Sequence, residues 1–209
     1  KFKERAPVIN AFSDAISLLN FLYLKIGLVT FHYANASRLF EKKNYKVFFD
    51  VLYGKKTELA FRTPNYAWLT EAPPGQIEGI AIGGNLETLR DLLDVCDIEL
   101  DSWNKYILFV EDINDDVESL HRIITSLDAR GMFNNIRALV VGNFETKKLT
   151  TNFTKFARLF GIAAEEEKPT HIIMYLLQNM LNNRRKTGDP LYILSVDDFG
   201  HREKFNPMI

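Results

Sequence analysis

The chain has 209 residues, of which 46% are hydrophobic and 25% charged, and its formal net charge is −1. Such a balance argues against a protein that binds nucleic acid or an anionic membrane through surplus basic charge. A single cysteine and no cysteine–histidine cluster of zinc-site spacing predict neither an intrachain disulfide nor a metal site, and no apolar run reaches the ~20 residues of a membrane helix.

The first part of the sequence predicts a strand–helix–strand unit. Residues 7–12 are short and mostly apolar, which predicts a buried strand. Residues 15–25 carry apolar side chains at helical spacing, Gly27 ends the helix, and residues 28–32 predict a second strand. This order is typical of an α/β fold with a parallel sheet.

A domain boundary is predicted near the end of the first third of the chain. Residues 36–53 predict an amphipathic helix with a break near its middle, and residues 56–61 predict a strand. Residues 63–75 contain three prolines and a glycine, which is typical of a linker. We therefore expect two domains, residues 1–66 and residues 67–209.

The second part predicts strands that alternate with helices, as in an α/β sheet. The predicted strands are residues 76–82, 106–110, 136–141 and 191–196, and the predicted helices are residues 86–95, 115–130, 152–160 and 169–183. Gly83-Gly84 predicts a tight turn, and Asn85 is a favourable N-cap for the helix that follows.

Three potentially reactive side chains follow predicted buried strands, namely Ser13, Glu111 and His201. Ligands of open α/β sheets bind at the carboxyl ends of the strands. Each residue also has a simpler interpretation: Ser13 as a helix cap, Glu111 as a surface acid or a Mg²⁺ ligand, and His201 as an exposed loop histidine.

The same three residues suit nucleophilic catalysis. A sharp strand-to-helix turn would expose the Ser13 hydroxyl and leave the Asp14 N–H free to bind an oxyanion. His201 can take and return a proton near neutral pH, and Glu111 can orient its ring. His32 ends a strand at the same sheet edge, where we expect a hydrogen-bonded structural role.

The segment Gly83-Gly84-Asn85 lacks the spacing of a dinucleotide fingerprint, and no phosphate-binding Gly-Lys-Ser/Thr motif follows it. A nucleotide cofactor is therefore not indicated. Either the segment is a turn with a cap, or its backbone and the Asn85 amide contact a peptide substrate.

Six short segments are specific when they are taken together and in order. They are Ala11-Phe12-Ser13-Asp14, Gly27 to His32, Gly83-Gly84-Asn85-Leu86, Ile107 to Asp112, Arg122 with Gly131, and Gly200-His201. This set resembles the LD-carboxypeptidase family of serine peptidases, which includes the microcin C self-immunity peptidases.

The resemblance implies a cofactor-free, cytoplasmic and homodimeric serine peptidase with a Ser13–His201–Glu111 triad. Its implied reaction is hydrolysis of murein tetrapeptides between an L-centre and the terminal D-Ala. Hydrolysis of aminoacyl-nucleotide amides, as in microcin immunity, and a binding relative without catalysis remain alternatives. The implied fold is part of a Rossmann-like domain followed by a swivelling α/β domain.

The sequence also departs from the family pattern. Ala11 stands where the family has glycine, and Tyr33-Ala34 stand where it has Gly-Pro. Residues 163–186 predict extra helix, and we expect the chain to be a fragment that lacks the family's N-terminal segment and last stretch.

Overall fold

The computed structural model describes residues 6–40, 42–57, 66–99, 103–145, 177, 191–197 and 199–201. The strands are β1 (Asn10–Ala11), β2 (Phe31–His32), β3 (Tyr66–Trp68), β4 (Ile80–Asn85), β5 (Tyr106–Ile113), β6 (Ala138–Glu145) and β7 (Tyr192–Val196). The helices are α1 (Ile16–Ile26), α2 (Ala36–Leu39), α3 (Lys42–Leu52), α4 (Leu86–Val95), α5 (Val117–Ala129) and α6 (Met132–Asn135).

The strands form two sheets. Strands β1 and β2 make a parallel pair, and the other five have the order β3-β7-β6-β5-β4. All neighbours in the larger sheet are parallel except the edge strand β3, which runs antiparallel to β7. The predicted α/β fold with a parallel sheet is confirmed.

The helix α1 forms as its sequence pattern predicts. It buries Ile16 and Leu19 and ends at Gly27, whose φ of 69° is left-handed and whose N–H bonds to the carbonyls of Leu22 and Tyr23. Glycine adopts this conformation without the penalty that a Cβ would bring. Because Ser13 lies just before this helix, the helix start determines where the hydroxyl lies.

The main core lies between the five-stranded sheet and the helices α4 and α5. The helix α4 buries four leucines and α5 buries five aliphatic side chains on one face. Complete burial of such a side chain contributes about 1.5 to 3 kcal/mol. Asn85 and Asp116 cap the two helices by accepting from the N–H groups of Thr88 and Ser119, so the predicted Asn85 cap is confirmed.

Several elements differ from the predictions. The predicted linker contains β3, which pairs with β7. Gly83 and Gly84 lie inside β4 rather than in a tight turn, because both pair with β5. The strand β1 is only two residues long.

Other predictions concern residues that the structure does not describe. The predicted strand at residues 56–61 falls mostly outside the described residues, and so do the predicted helices at residues 152–160 and 169–183 and the extra helix at residues 163–186. The division into domains 1–66 and 67–209 stays a prediction. In the described ranges, no helix is long and apolar enough to cross a membrane.

Candidate active site

Ser13 occupies a strained turn between β1 and α1. It begins a 3-10 turn, Ser13–Ala15, that leads directly into the helix, and its φ of 60° lies in the left-handed region. Such a conformation costs a residue with a Cβ on the order of 1 to 3 kcal/mol. It usually persists where the surrounding structure must hold a side chain in a particular direction. A sharp strand-to-helix turn of this kind presents a hydroxyl at the edge of the sheet.

The three candidate residues meet in one chain of hydrogen bonds. The Nε2 atom of His201 lies 2.9 Å from the Ser13 Oγ, and its Nδ1 atom lies 2.6 Å from the Glu111 Oε2. With the proton on Nδ1, the ring donates to the carboxylate and accepts from the hydroxyl. Residues that are far apart in sequence are thus brought together in the order hydroxyl, imidazole, carboxylate.

Glu111 is almost completely buried, with 1% of its surface exposed. It lies inside β5 rather than after it, which corrects the predicted end of that strand at Val110. The strand continues because Glu111 pairs with Asn85 of β4 and because pairing with β6 resumes at Asp112 after a shift of register. A carboxylate buried here needs a partner, and His201 supplies it.

The loop that carries His201 is attached to the end of β6. The Asn143 N–H donates to the Phe199 carbonyl at 2.8 Å, and the Asn143 side-chain amide donates to the Asp197 carbonyl at 2.7 Å. A Cβ at Gly142 would lie 2.5 Å from Phe199, so only glycine allows this contact. Sequence reasoning missed these supporting residues, and their signal was the Gly-Asn pair that follows a predicted buried strand.

The environment of His201 favours its charged form. Burial opposes protonation, but the hydrogen bond and negative charge of Glu111 raise the pKa of His201 above its ordinary value, with smaller contributions from Glu145 and Asp14. Such a shift stabilises the imidazolium that a general base becomes after it has accepted a proton.

His32 lies behind the site and stays neutral. Burial, with a smaller repulsion from His201, lowers the pKa of His32 to about 4. Its ring centroid lies 5.5 Å from that of Phe12 and 6.1 Å from that of Phe199, and Phe12 also lies 4.9 Å from His201. The imidazole therefore packs between the nucleophile turn and the histidine loop, whereas its predicted hydrogen bond stays a prediction.

The segment Gly83-Gly84-Asn85, at the end of β4, packs against α1, the helix that follows Ser13. The Asn20 side chain of α1 accepts from the Gly83 N–H and donates to the Gly83 carbonyl, both at 3.2 Å. A Cβ at Gly84 would lie 2.5 Å from the Cγ1 of Ile16. The predicted contact of this segment with substrate, and the predicted oxyanion role of the Asp14 N–H, remain predictions.

Gly84→Ala is expected to destabilise the protein by about 2 to 4 kcal/mol, since it combines a steric clash with a φ of 131°. Urea unfolding followed by circular dichroism measures the change. Gly75→Ala is the control, because no heavy atom lies within 4 Å of a Cβ at that position. Equal midpoints for the wild type and Gly84→Ala would contradict the close packing of α1 on β4.

No metal site is formed by the described residues, among which no group of three or more histidine, cysteine, aspartate or glutamate side chains could hold an ion.

A parallel α/β sheet with a hydroxyl–imidazole–carboxylate chain at the carboxyl ends of its strands is typical of serine hydrolases.

Comparison with known proteins identifies the family. The family model for the LD-carboxypeptidase C-terminal domain matches residues 78–209, which is more than half of the chain. The chain is 30% identical over 150 residues to a probable murein peptide carboxypeptidase of Bacillus subtilis (strain 168), covering 68% of this chain and 44% of the relative. The chain therefore belongs to the LD-carboxypeptidase family, as its sequence motifs predicted.

Two further comparisons concern the microcin C7 self-immunity protein MccF. The Escherichia coli protein is 23% identical over 203 residues, covering 81% of this chain and 54% of the relative. A solved structure of MccF, an inactive mutant in the apo state, has a TM-score of 0.67 at 22% identity, covering 99% of this chain and 63% of that one. This similarity shows the fold, and the chain spans about half the length of the curated relatives it matches.

Proposed function

We propose that the protein is a serine carboxypeptidase that hydrolyses the amide bond between an L-centre and the terminal D-Ala of murein tetrapeptides. The observation that carries this proposal is the hydrogen-bond chain from the Ser13 hydroxyl through His201 to Glu111, at 2.9 and 2.6 Å. Membership of the LD-carboxypeptidase family supports the reaction and the substrate class.

In the proposed mechanism His201 acts first as a base. Its Nε2 atom takes the proton of the Ser13 hydroxyl while the Oγ attacks the amide carbonyl carbon, and the Asp14 N–H helps to stabilise the resulting oxyanion. The imidazolium, stabilised by Glu111, then protonates the amine as the carbon–nitrogen bond breaks. Water, deprotonated by His201, attacks the acyl-enzyme and releases the peptide with regeneration of Ser13.

The electrostatics of His201 and His32 support His201 as the general base. Glu111 raises the pKa of His201, which makes it a stronger base for Ser13. His32, with a pKa of about 4, stays neutral at working pH and adds no positive charge that would oppose the imidazolium. As part of the proposal, the enzyme acts in the cytoplasm, as a homodimer and without a cofactor.

A second candidate function is hydrolysis of the amide in a toxic aminoacyl nucleotide. Its support is the match of the chain to the microcin C7 self-immunity protein MccF. Both functions use the same nucleophile and base, so they differ only in the groups that surround the scissile amide. The third alternative, a binding relative without catalysis, predicts that neither substrate is cleaved.

Assays on the whole protein with both substrates separate the three functions. We expect release of D-Ala from a murein tetrapeptide with kcat/KM at least about tenfold above that for an aminoacyl-sulfamoyl adenosine, a difference of about 1.4 kcal/mol in transition-state binding. The reverse preference would support the immunity function. Binding of either compound with no turnover would support the binding relative.

A further inference from the structure

A second pair of carboxyl groups lies beside the catalytic candidates. Asp112 follows Glu111 in β5 and is 2% exposed. Its Oδ2 atom accepts from the Glu87 N–H in the first turn of α4 at 3.2 Å. Its Oδ1 atom and the Oδ2 atom of Asp115 are buried, and no hydrogen-bond donor among the described residues reaches either of them.

The carboxyl groups of Asp112 and Asp115 lie within hydrogen-bonding reach of each other. Two ionised carboxylates in contact would repel one another and would both lose hydration, and neither has a proton to donate. One proton held between them converts this repulsion into an O–H···O bond, in which one carboxyl group donates and the other accepts.

We propose that Asp112 and Asp115 share one proton in the folded protein, and that this pair positions Glu111 by fixing the end of β5 against α4 while it carries one negative charge instead of two. The positioning role rests on the proposed function, whereas the shared proton does not. Asp112 reaches the chemistry only through Glu111, so it is a positioning residue and not a catalytic one.

The surroundings of Asp112 favour the proton. Burial, followed by repulsion from Asp115 and to a lesser extent from Glu111, raises the pKa of Asp112 to about 8, and the Glu87 N–H only partly opposes this. In an unfolded chain the same group has its ordinary pKa of 3.8. Between these two values the unfolded state ionises while the folded state keeps the proton, so the contribution of Asp112 to the free energy of unfolding falls as pH rises from about 4 to about 8.

Infrared spectroscopy of the carboxyl C=O stretch tests the shared proton directly. At pH 6.5 we expect the wild type to show the band of a protonated, buried carboxyl group, and Asp112→Asn and Asp115→Asn each to lose it. Asp116→Asn is the matched control, because Asp116 belongs to the same acidic segment but is exposed and caps α5, a role that asparagine also fills.

Three results would overturn the proposal. The first is the absence of the band from the wild type at pH 6.5, and the second is its persistence in both Asp112→Asn and Asp115→Asn. The third is removal of the band by millimolar Mg²⁺ or Ca²⁺ together with a rise in Tm that Asp112→Asn lacks, which would make the pair a cation site. If a variant does not fold, a pH titration of the infrared band in the wild type tests the shared proton instead, and its expected midpoint lies near pH 8.

Kinetics test the positioning role. Asp112→Ala removes the acceptor of the Glu87 N–H, and we expect kcat to fall roughly 10- to 100-fold with little change in KM, because a small displacement of Glu111 misaligns His201. Asp112→Asn is expected to rescue most of that loss, since its amide oxygen keeps the bond. Equal losses in both variants would overturn the positioning role. A wild type without peptidase activity would refute the proposed function. The shared proton would then be tested by the infrared measurement alone, which does not depend on activity.

Discussion

Ser13→Ala is expected to reduce amide hydrolysis by the whole protein about 10⁴- to 10⁶-fold while the fold is retained. The substitution removes the only atom that attacks the carbonyl in the proposed mechanism. Alanine, like serine, has a Cβ that disfavours the left-handed φ at this position, so any change in the free energy of unfolding should be small or unfavourable. The measurement is the initial rate of D-Ala release, together with labelling by a fluorophosphonate probe, which requires a nucleophilic serine.

Ser17→Ala is the matched control for this variant. Its hydroxyl lies one helical turn further along and donates to the Asp14 carbonyl, outside the hydrogen-bond chain of the site. We expect it to keep near wild-type turnover and full labelling. Undiminished labelling of Ser13→Ala would mean that another residue is the nucleophile, and the proposed mechanism would then be wrong.

Glu111→Gln is expected to lower kcat about 10⁴-fold. The amide has nearly the same shape as the carboxylate but no charge, and its NH₂ group can donate to the His201 Nδ1. The ring would then carry its proton on Nε2, facing Ser13, and could not accept the hydroxyl proton. The loss is therefore expected even though the packing around β5 is preserved.

The same variant makes a second prediction about the charge of His201. Because Glu111 raises the pKa of His201, its replacement by glutamine should lower that pKa, which an NMR titration of the ring Cε1–H measures independently of activity. Glu71→Gln, at an exposed position, is the control and should leave the titration unchanged. An unaltered His201 titration in Glu111→Gln would show that the buried carboxylate does not govern this histidine.

Local sequence patterns were sufficient for the main helices. The helix α4 occupies the predicted residues because Asn85 caps its first turn and its leucines recur at helical spacing. The helix α5 begins two residues later than predicted, at Val117, because Asp116 serves as its N-cap. These boundaries depend on neighbours within one turn, so a sequence contains what is needed to find them.

Strand limits depended on partners that are distant in sequence. The strand β3 lies in a segment rich in proline and forms because it pairs with β7. No residue near β3 in the sequence indicates this pairing. The extension of β5 through Glu111 likewise follows from its shifted register against β6. Backbone hydrogen bonds between strands are made across the sheet, and a single sequence does not specify which segments will supply them.

By itself the sequence determined which residue types stand at the ends of its buried segments: a serine before a helix, a glutamate after an apolar run and a histidine after a glycine. Only the tertiary structure decided that they meet, since the distances between Ser13, His201 and Glu111 depend on how β1, β5 and the loop after β7 lie against one another. Chemical character is a property of single residues, whereas a catalytic geometry is a property of the packing that brings them together.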